Sequence, residues 1–158
     1  MDFSDFIFRG KLNNLGIGIT VLEADKKHSL HLIQKEEGDI PALYELTVAK
    51  CSFEIAAIKD TVIGITFDFE YEPENKYTLK HKSFEFSIGF ATALEDLIIF
   101  LKDCNVSFEN IDIDENNSHI IITNSGVTLR FYKTAGHTNL YKATLFDLEL
   151  YNRLSLTI

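Results

Sequence analysis

Asp68, Glu70, Glu72 and Glu74 fall at every second position, with Tyr71 and Tyr77 beside them. In an extended chain alternate side chains point the same way, so the four carboxylates would share one face. Carboxylates gathered on a face do recognition chemistry: they draw in a cationic surface, speed the encounter and select the partner. Tyrosine adds a rigid apolar body with a polar tip and is enriched where binding energy concentrates. Asp68, Glu70, Tyr71, Glu72, Glu74 and Tyr77 therefore predict a partner-binding face. A second acidic run, Glu109, Asp112, Asp114 and Glu115, has no basic residue between Asp103 and Asn117 and reads as a solvated surface.

Other spacings that could carry chemistry fail at the positions that matter. Gly16-Ile17-Gly18 lacks both the third glycine, whose place is taken by Val21, and a preceding strand, so a turn is expected rather than a phosphate cradle. Asp112-Ile113-Asp114-Glu115-Asn116 begins like a calcium loop. It has Asn117 where the sharp turn needs glycine and Thr123 where the bidentate glutamate belongs. Of His28, His31, His81, His119 and His137, only His28 and His31 are close, at a spacing that suits a helix face, and no Cys or carboxylate completes a zinc set. Cys51 and Cys104 sit in apolar runs, where a small buried hydrophobe is the default. Ser125 precedes a glycine without the Gly-x of a nucleophile elbow, and Asn124-Ser125-Gly126 predicts turn geometry. The expectation is a protein with no catalytic residues, no metal and no cofactor, and not an enzyme.

The elements that must position these residues come from a chain of 158 residues with 46% hydrophobic and 25% charged side chains, a globular composition. The net charge of -9 argues against nucleic acid, which demands a basic footprint, and against an anionic membrane surface. Two cysteines make no disulfide framework, the acidic N-terminus does not resemble a secretory signal, and apolar runs such as Leu97 to Leu101 are far too short to span a bilayer. A cytoplasmic protein is predicted, with residues 1–158 forming a single domain because no linker, repeat or low-complexity tract divides them.

Phe3, Phe6 and Ile7 fall on one helical face, and Thr20 with Glu23 can form a capping box over Val21 to Lys27. From Ala42 the pattern turns to strands: Leu43 to Val48, Ser52 to Ile58 and Val62 to Tyr71, with Lys59-Asp60 as a turn. Phe84 to Ile88 alternates as a lead-in to the clearest helix, Thr92 to Cys104, with Leu94, Leu97, Ile98 and Leu101 on one face. Ser118 to Thr123 and Val127 to Lys133 flank a hairpin turn. Tyr141 to Leu150 alternates again, and Leu154-Leu156-Ile158 is a candidate edge strand. The predicted class is α+β: an antiparallel sheet of about six strands, one long helix on its apolar face and a short helical N-terminal segment.

The order of segments carries a resemblance. Gly10 to Gly18 is followed by Leu43-Tyr44-Glu45-Leu46, Phe53-Glu54-Ile55 and Val62 to Phe67, then the helix Leu94 to Leu101 and the segment Ile121 to Phe131. This order resembles small immunity proteins of bacterial polymorphic-toxin and contact-dependent growth inhibition systems. The resemblance implies a cytoplasmic, non-enzymatic protein that binds a cognate toxin domain and blocks its active site or substrate path. Where the toxin is a nuclease with a basic surface, an acidic inhibitor occupies the place of the phosphates. Two other expectations stay open: a small-molecule-binding or enzymatic domain with a pocket between helix and sheet, and an adaptor subunit joined through the strand edge Leu154 to Ile158.

Overall fold

The computed structural model describes residues 1–113, 117–134 and 136–156. In chain order the elements are α1 (Ser4–Arg9), α2 (Val21–His28), β1 (His31–Gln34), β2 (Ala42–Val48), β3 (Cys51–Ile58), β4 (Thr61–Asp68), a 3-10 turn (Phe69–Tyr71), β5 (Lys76–His81), β6 (Phe84–Gly89), α3 (Leu94–Asp103), β7 (Phe108–Ile113), β8 (Ser118–Thr123), β9 (Thr128–Thr134), β10 (His137–Phe146) and α4 (Leu148–Ser155). The class is α+β with antiparallel pairing. Ten strands and four helices stand among the described residues where about six strands and one long helix were expected. No helix among the described residues is long and apolar enough to cross a membrane. Two compact units result: Met1–Gly10 with Asp68–Ala143, and Lys11–Phe67 with Thr144–Ile158.

In the unit Lys11–Phe67 with Thr144–Ile158, the strands run in the order β1-β2-β3-β4. Both inner hairpins turn on two residues with positive φ, Ala49 (50°) with Lys50 (69°) and Lys59 (47°) with Asp60 (60°), a geometry whose twist matches that of the flanking strands. β3 shows the alternation its sequence predicts: Phe53, Ile55 and Ala57 are buried while Ser52 and Glu54 are exposed. β4 does not, because Val62, Ile63, Gly64 and Ile65 are all buried. A Cβ added to Gly64 would meet the Phe146 ring at 2.9 Å, so the ring covers the face that the pattern left to water.

The capping box at α2 forms as predicted. The Glu23 amide donates to Thr20 Oγ1 at 3.2 Å and the Thr20 amide donates to Glu23 Oε2 at 3.2 Å. His28 and His31 do not share a helix face, since α2 ends at His28 and His31 opens β1. The second half of the run Tyr141 to Leu150 is a correction. Asp147 caps α4 by accepting from the Leu150 amide at 2.8 Å, so the alternating leucines continue as a helix. Tyr151 donates to the Asp39 carbonyl at 3.0 Å and Lys59 to the Leu154 carbonyl at 2.6 Å, which hold α4 in place. The edge strand expected from Leu154 onward is therefore not a strand as far as Leu156; Thr157 and Ile158 lie outside the described residues.

In the unit Met1–Gly10 with Asp68–Ala143, Phe3, Phe6 and Ile7 are fully buried as the N-terminal spacing predicts, and Gly10 closes α1 at φ 63°. β5 and β6 pair in unbroken register from Lys76↔Gly89 to His81↔Phe84, so the lead-in Phe84 to Ile88 is a paired strand. α3 begins two residues later than expected, because Thr92 closes a turn by accepting from the Gly89 amide at 2.8 Å. It buries Leu94, Leu97, Phe100 and Leu101, with Ile98 half-buried, and Phe100 stacks on Phe86 at 4.9 Å. Strands follow in the order β10-β9-β8-β7. The β8–β9 hairpin turns at Gly126 (φ 83°), as its sequence predicts. Thr123 and Ser125 donate to the Ile7 carbonyl at 3.1 and 2.8 Å, tying the turn to α1. β7 is a strand that the sequence pattern does not announce: the second acidic run is strand as far as Ile113, and Asp114, Glu115 and Asn116 lie outside the described residues.

Candidate functional site

Asp68 ends β4 and is half-buried. One of its oxygens accepts from the Glu70 amide at 2.9 Å and the other faces Lys142 Nζ at 3.5 Å. Beyond it the chain does not stay extended. Phe69 is fully buried against Phe3 and Tyr77, with ring centroids 5.9 Å from each, and Phe3 and Tyr77 lie 4.8 Å apart. Burying that ring turns Phe69–Tyr71 into a single 3-10 turn, so the four acids do not share one face. Glu70 and Tyr71 are thrown outward, Tyr71 with 86% of its surface exposed. Glu72 turns back instead, accepting from the Asn75 side-chain amide and from the Tyr77 hydroxyl at 3.2 Å. Tyr77 is buried and belongs to the aromatic cluster, while Glu74 stands exposed on the loop.

The six residues singled out by spacing thus divide. Asp68, Glu72 and Tyr77 position the turn; Glu70, Tyr71 and Glu74 face solvent. The structure brings in two further tyrosines that spacing could not supply, one exposed and one half-buried. Tyr132 on β9 and Tyr141 on β10 stack face to face, with centroids 3.9 Å apart and an interplanar angle of 9°. Partial desolvation, then the nearby Glu70 carboxylate, Tyr141 and the Asp68 carboxylate, push the Tyr132 hydroxyl above the usual phenol range, and Lys142 opposes them. Tyr132 thus lies within electrostatic reach of Asp68 and Glu70, some 60 positions earlier in the sequence. The only hint in the sequence was Tyr132 lying on the outward side of its strand with Thr128 and Arg130.

A second cluster lies in the same unit. Asp112 and His119 face each other across β7 and β8, Asp112 is hydrogen-bonded by Lys133, and His119 Nδ1 stands 3.8 Å from the Asp112 carboxylate. The other ring nitrogen, Nε2, bonds to the Asn110 side-chain oxygen. Burial pushes the His119 imidazole below its usual value, with Asp112 opposing. The Lys133 hydrogen bond holds the Asp112 carboxyl below the usual carboxylate range. These groups line a cleft of about 640 Å³ together with Leu94 and Glu95 of α3, His137 and Thr138. Asn110 engages Nε2, while Nδ1 lies too far from Asp112 for a direct hydrogen bond.

Cys51 and Cys104 are buried thiols, and burial, then Asp103, push the Cys104 thiol above its usual value, the opposite of what a nucleophile needs. Among the described residues no three His, Cys, Asp or Glu side chains are placed to hold a metal ion. No protein-family model matches this chain, and neither a curated protein nor a solved structure matches it.

Proposed function

We propose that this chain is a non-enzymatic binding protein that neutralises a cognate toxin domain, a nuclease with a basic surface, by occluding its active site or substrate path. The observation that carries this reading is the stacked pair of exposed Tyr132 and half-buried Tyr141 near the Glu70 and Asp68 carboxylates, with exposed Tyr71 next to Glu70 in the chain, in a protein of net charge -9. Stacked tyrosines offer large contact area at small loss of side-chain freedom, and adjacent carboxylates meet arginine or lysine that would otherwise hold phosphates. The cytoplasm is the compartment in which such a protein would act.

The test is capture on the tagged chain, followed by purification of the retained domain and titration of its nuclease activity. Recovery of the C-terminal domain of a large secreted protein, with activity abolished at one equivalent, supports the reading. A retained protein whose activity is untouched, or a clean capture with no protein at all, overturns it.

A second reading rests on the cleft lined by Glu95, Asp112, His119 and His137 between α3 and the strands of its unit. Its volume suits a small polar molecule. A ligand screen by thermal shift separates the two, since a ligand that binds only the folded chain raises the melting temperature.

A further inference from the structure

The cleft at the start of α3 lies wholly within the unit Met1–Gly10 with Asp68–Ala143. Its one buried polar side chain is His119, 10% exposed. Asn110 presents its side-chain oxygen to Nε2, so Nε2 carries the ring proton and Nδ1 keeps a lone pair. Asp112, 3.8 Å from Nδ1, is an acceptor too, and Lys133 already donates to it. Nδ1 therefore has no donor. It is not sealed off, because His28 Nε2 is the one fully enclosed side-chain nitrogen or oxygen without a hydrogen-bond partner among the described residues. The charge of the lining is also unbalanced. Asp112 and Lys133 answer each other, whereas Glu95 is exposed, makes no ion pair among the described residues and stands within electrostatic reach of the His119 ring. α3 adds Asp96 and no Lys or Arg before Lys102, and alternation along β9 puts Arg130 on the opposite side from Lys133.

We propose that this cleft binds a small primary amine, whose ammonium donates to His119 Nδ1 and is neutralised by Glu95, with a short apolar body against Ala91, Ala93 and Leu94. Amine binding presupposes the small-molecule cleft of the second reading and is independent of the toxin reading. Each part of an alkylammonium meets something the cleft lacks. Its N–H groups reach an acceptor that nothing in the chain fills. Its charge offsets the surplus carboxylate, and its carbons cover the apolar wall. A small anion fits less well, because Glu95 and Asp96 stand in the first turn of α3 and the Leu94 amide already donates to Thr138 Oγ1 at 2.9 Å. A quaternary ammonium has the charge but no N–H to give. A metal ion would need a third ligand, and among the described residues no three His, Cys, Asp or Glu side chains are placed to hold one.

The experiment titrates the full chain with n-butylamine, butyrate, tetramethylammonium and zinc ion at constant ionic strength and about pH 7.5, where the amine is charged and an ordinary histidine is neutral. Butylamine should give saturable amide shifts in NMR spectra, centred on residues 93–95 and 119, with a dissociation constant on the order of 1 mM, the scale of so small a ligand. In the free chain the His119 ring should carry its proton on Nε2, and on binding Nδ1 should be the ring nitrogen whose resonance moves. Glu95→Gln, at an exposed position, should leave the melting temperature in place and weaken butylamine binding roughly tenfold. Shifts centred elsewhere, a ring proton on Nδ1 in the free chain, or undiminished binding by Glu95→Gln overturns the proposal. So does equal or tighter binding of butyrate, tetramethylammonium or zinc ion at the same residues, in which case the cleft remains a ligand site and the amine assignment alone falls. If no probe shifts the lining residues, the cleft reading fails together with the amine.

Discussion

The runs Asp68–Glu74 and Glu109–Asp112 look alike as charge, yet the fold treats them differently. In the first, a buried phenylalanine forces a 3-10 turn that throws Glu70 and Tyr71 outward, with the Glu70 carboxylate within electrostatic reach of Tyr132. In the second, strand pairing sets Asp112 opposite His119, and Lys133 reaches across to satisfy it. A carboxylate whose cation is supplied from within the chain has little left for a partner, whereas Glu70 keeps its charge available at the surface. The number of acids in a run therefore says less about binding than the identity of the neighbours that tertiary structure brings to them.

Removing the ring that makes the turn is the harshest way to break this contrast. Phe69→Ala should cost about 3–5 kcal/mol, the usual loss for a fully buried aromatic truncated to Ala, read as a lower urea midpoint at unchanged slope. A loss under about 1 kcal/mol would mean that Phe69 does not hold the turn. Next in size, Tyr71→Ala combined with Glu70→Lys should weaken association with the cognate domain roughly tenfold or more, chiefly through a slower, salt-sensitive on-rate. Stability should move by no more than about 0.5 kcal/mol. Asp112→Asn is the matched control on the other run, because Lys133 already satisfies that carboxylate, and surface plasmon resonance should find its on-rate close to that of the unmodified chain. Equal losses from both would erase the distinction. Asp68 and Glu72 are poor choices for charge reversal, because each accepts a hydrogen bond that holds the turn.

Two smaller effects sharpen the second run. Asp112 has a folded pKa below its unfolded value of about 3.9, so as pH falls the unfolded chain takes the proton first. The stability contributed by Asp112 is complete above about pH 4 and is lost as pH falls through the folded value. Lys133→Met should bring the Asp112 carboxyl back toward its ordinary range and flatten that acid limb, seen in carboxyl NMR titration and in urea midpoints from pH 5 to pH 2. His119 has its folded pKa below the unfolded value of about 6.5, so stability is full above that pH and declines as pH drops toward the folded value. His119→Gln, which can keep the bond to Asn110, should remove this slope between pH 7 and pH 5. A slope left intact in the variant would assign the pH dependence to another group.

Elements whose pattern is local were legible. The capping box of Thr20 and Glu23, the Lys59-Asp60 turn, the hairpin at Gly126 and the helix of Leu94, Leu97 and Leu101 all announce themselves within a few residues. Elements that depend on what lies opposite were not. β1 and β7 are exposed strands with no alternation to read, and β4 is buried on the face that its pattern left open because Phe146 covers Gly64. Leu148 and Leu150 continue an alternating pattern into a helix, since one hydrogen bond from Leu150 to Asp147 outweighs a few residues of period two. The site divides in the same way: the sequence located Glu70 and Tyr71, but the pairing of β9 with β10 was needed to find Tyr132 and Tyr141.

By itself the amino-acid sequence determined the α+β class, the antiparallel hairpins, the acidic balance and the segments in which carboxylates concentrate, because these follow from short-range periodicity, turn chemistry and summed charge. Only the tertiary structure decided which carboxylates stay free, which tyrosines join them and which strand edges stay bare. Those outcomes depend on residues far apart in the chain meeting in a packed fold, and no window of sequence contains both partners.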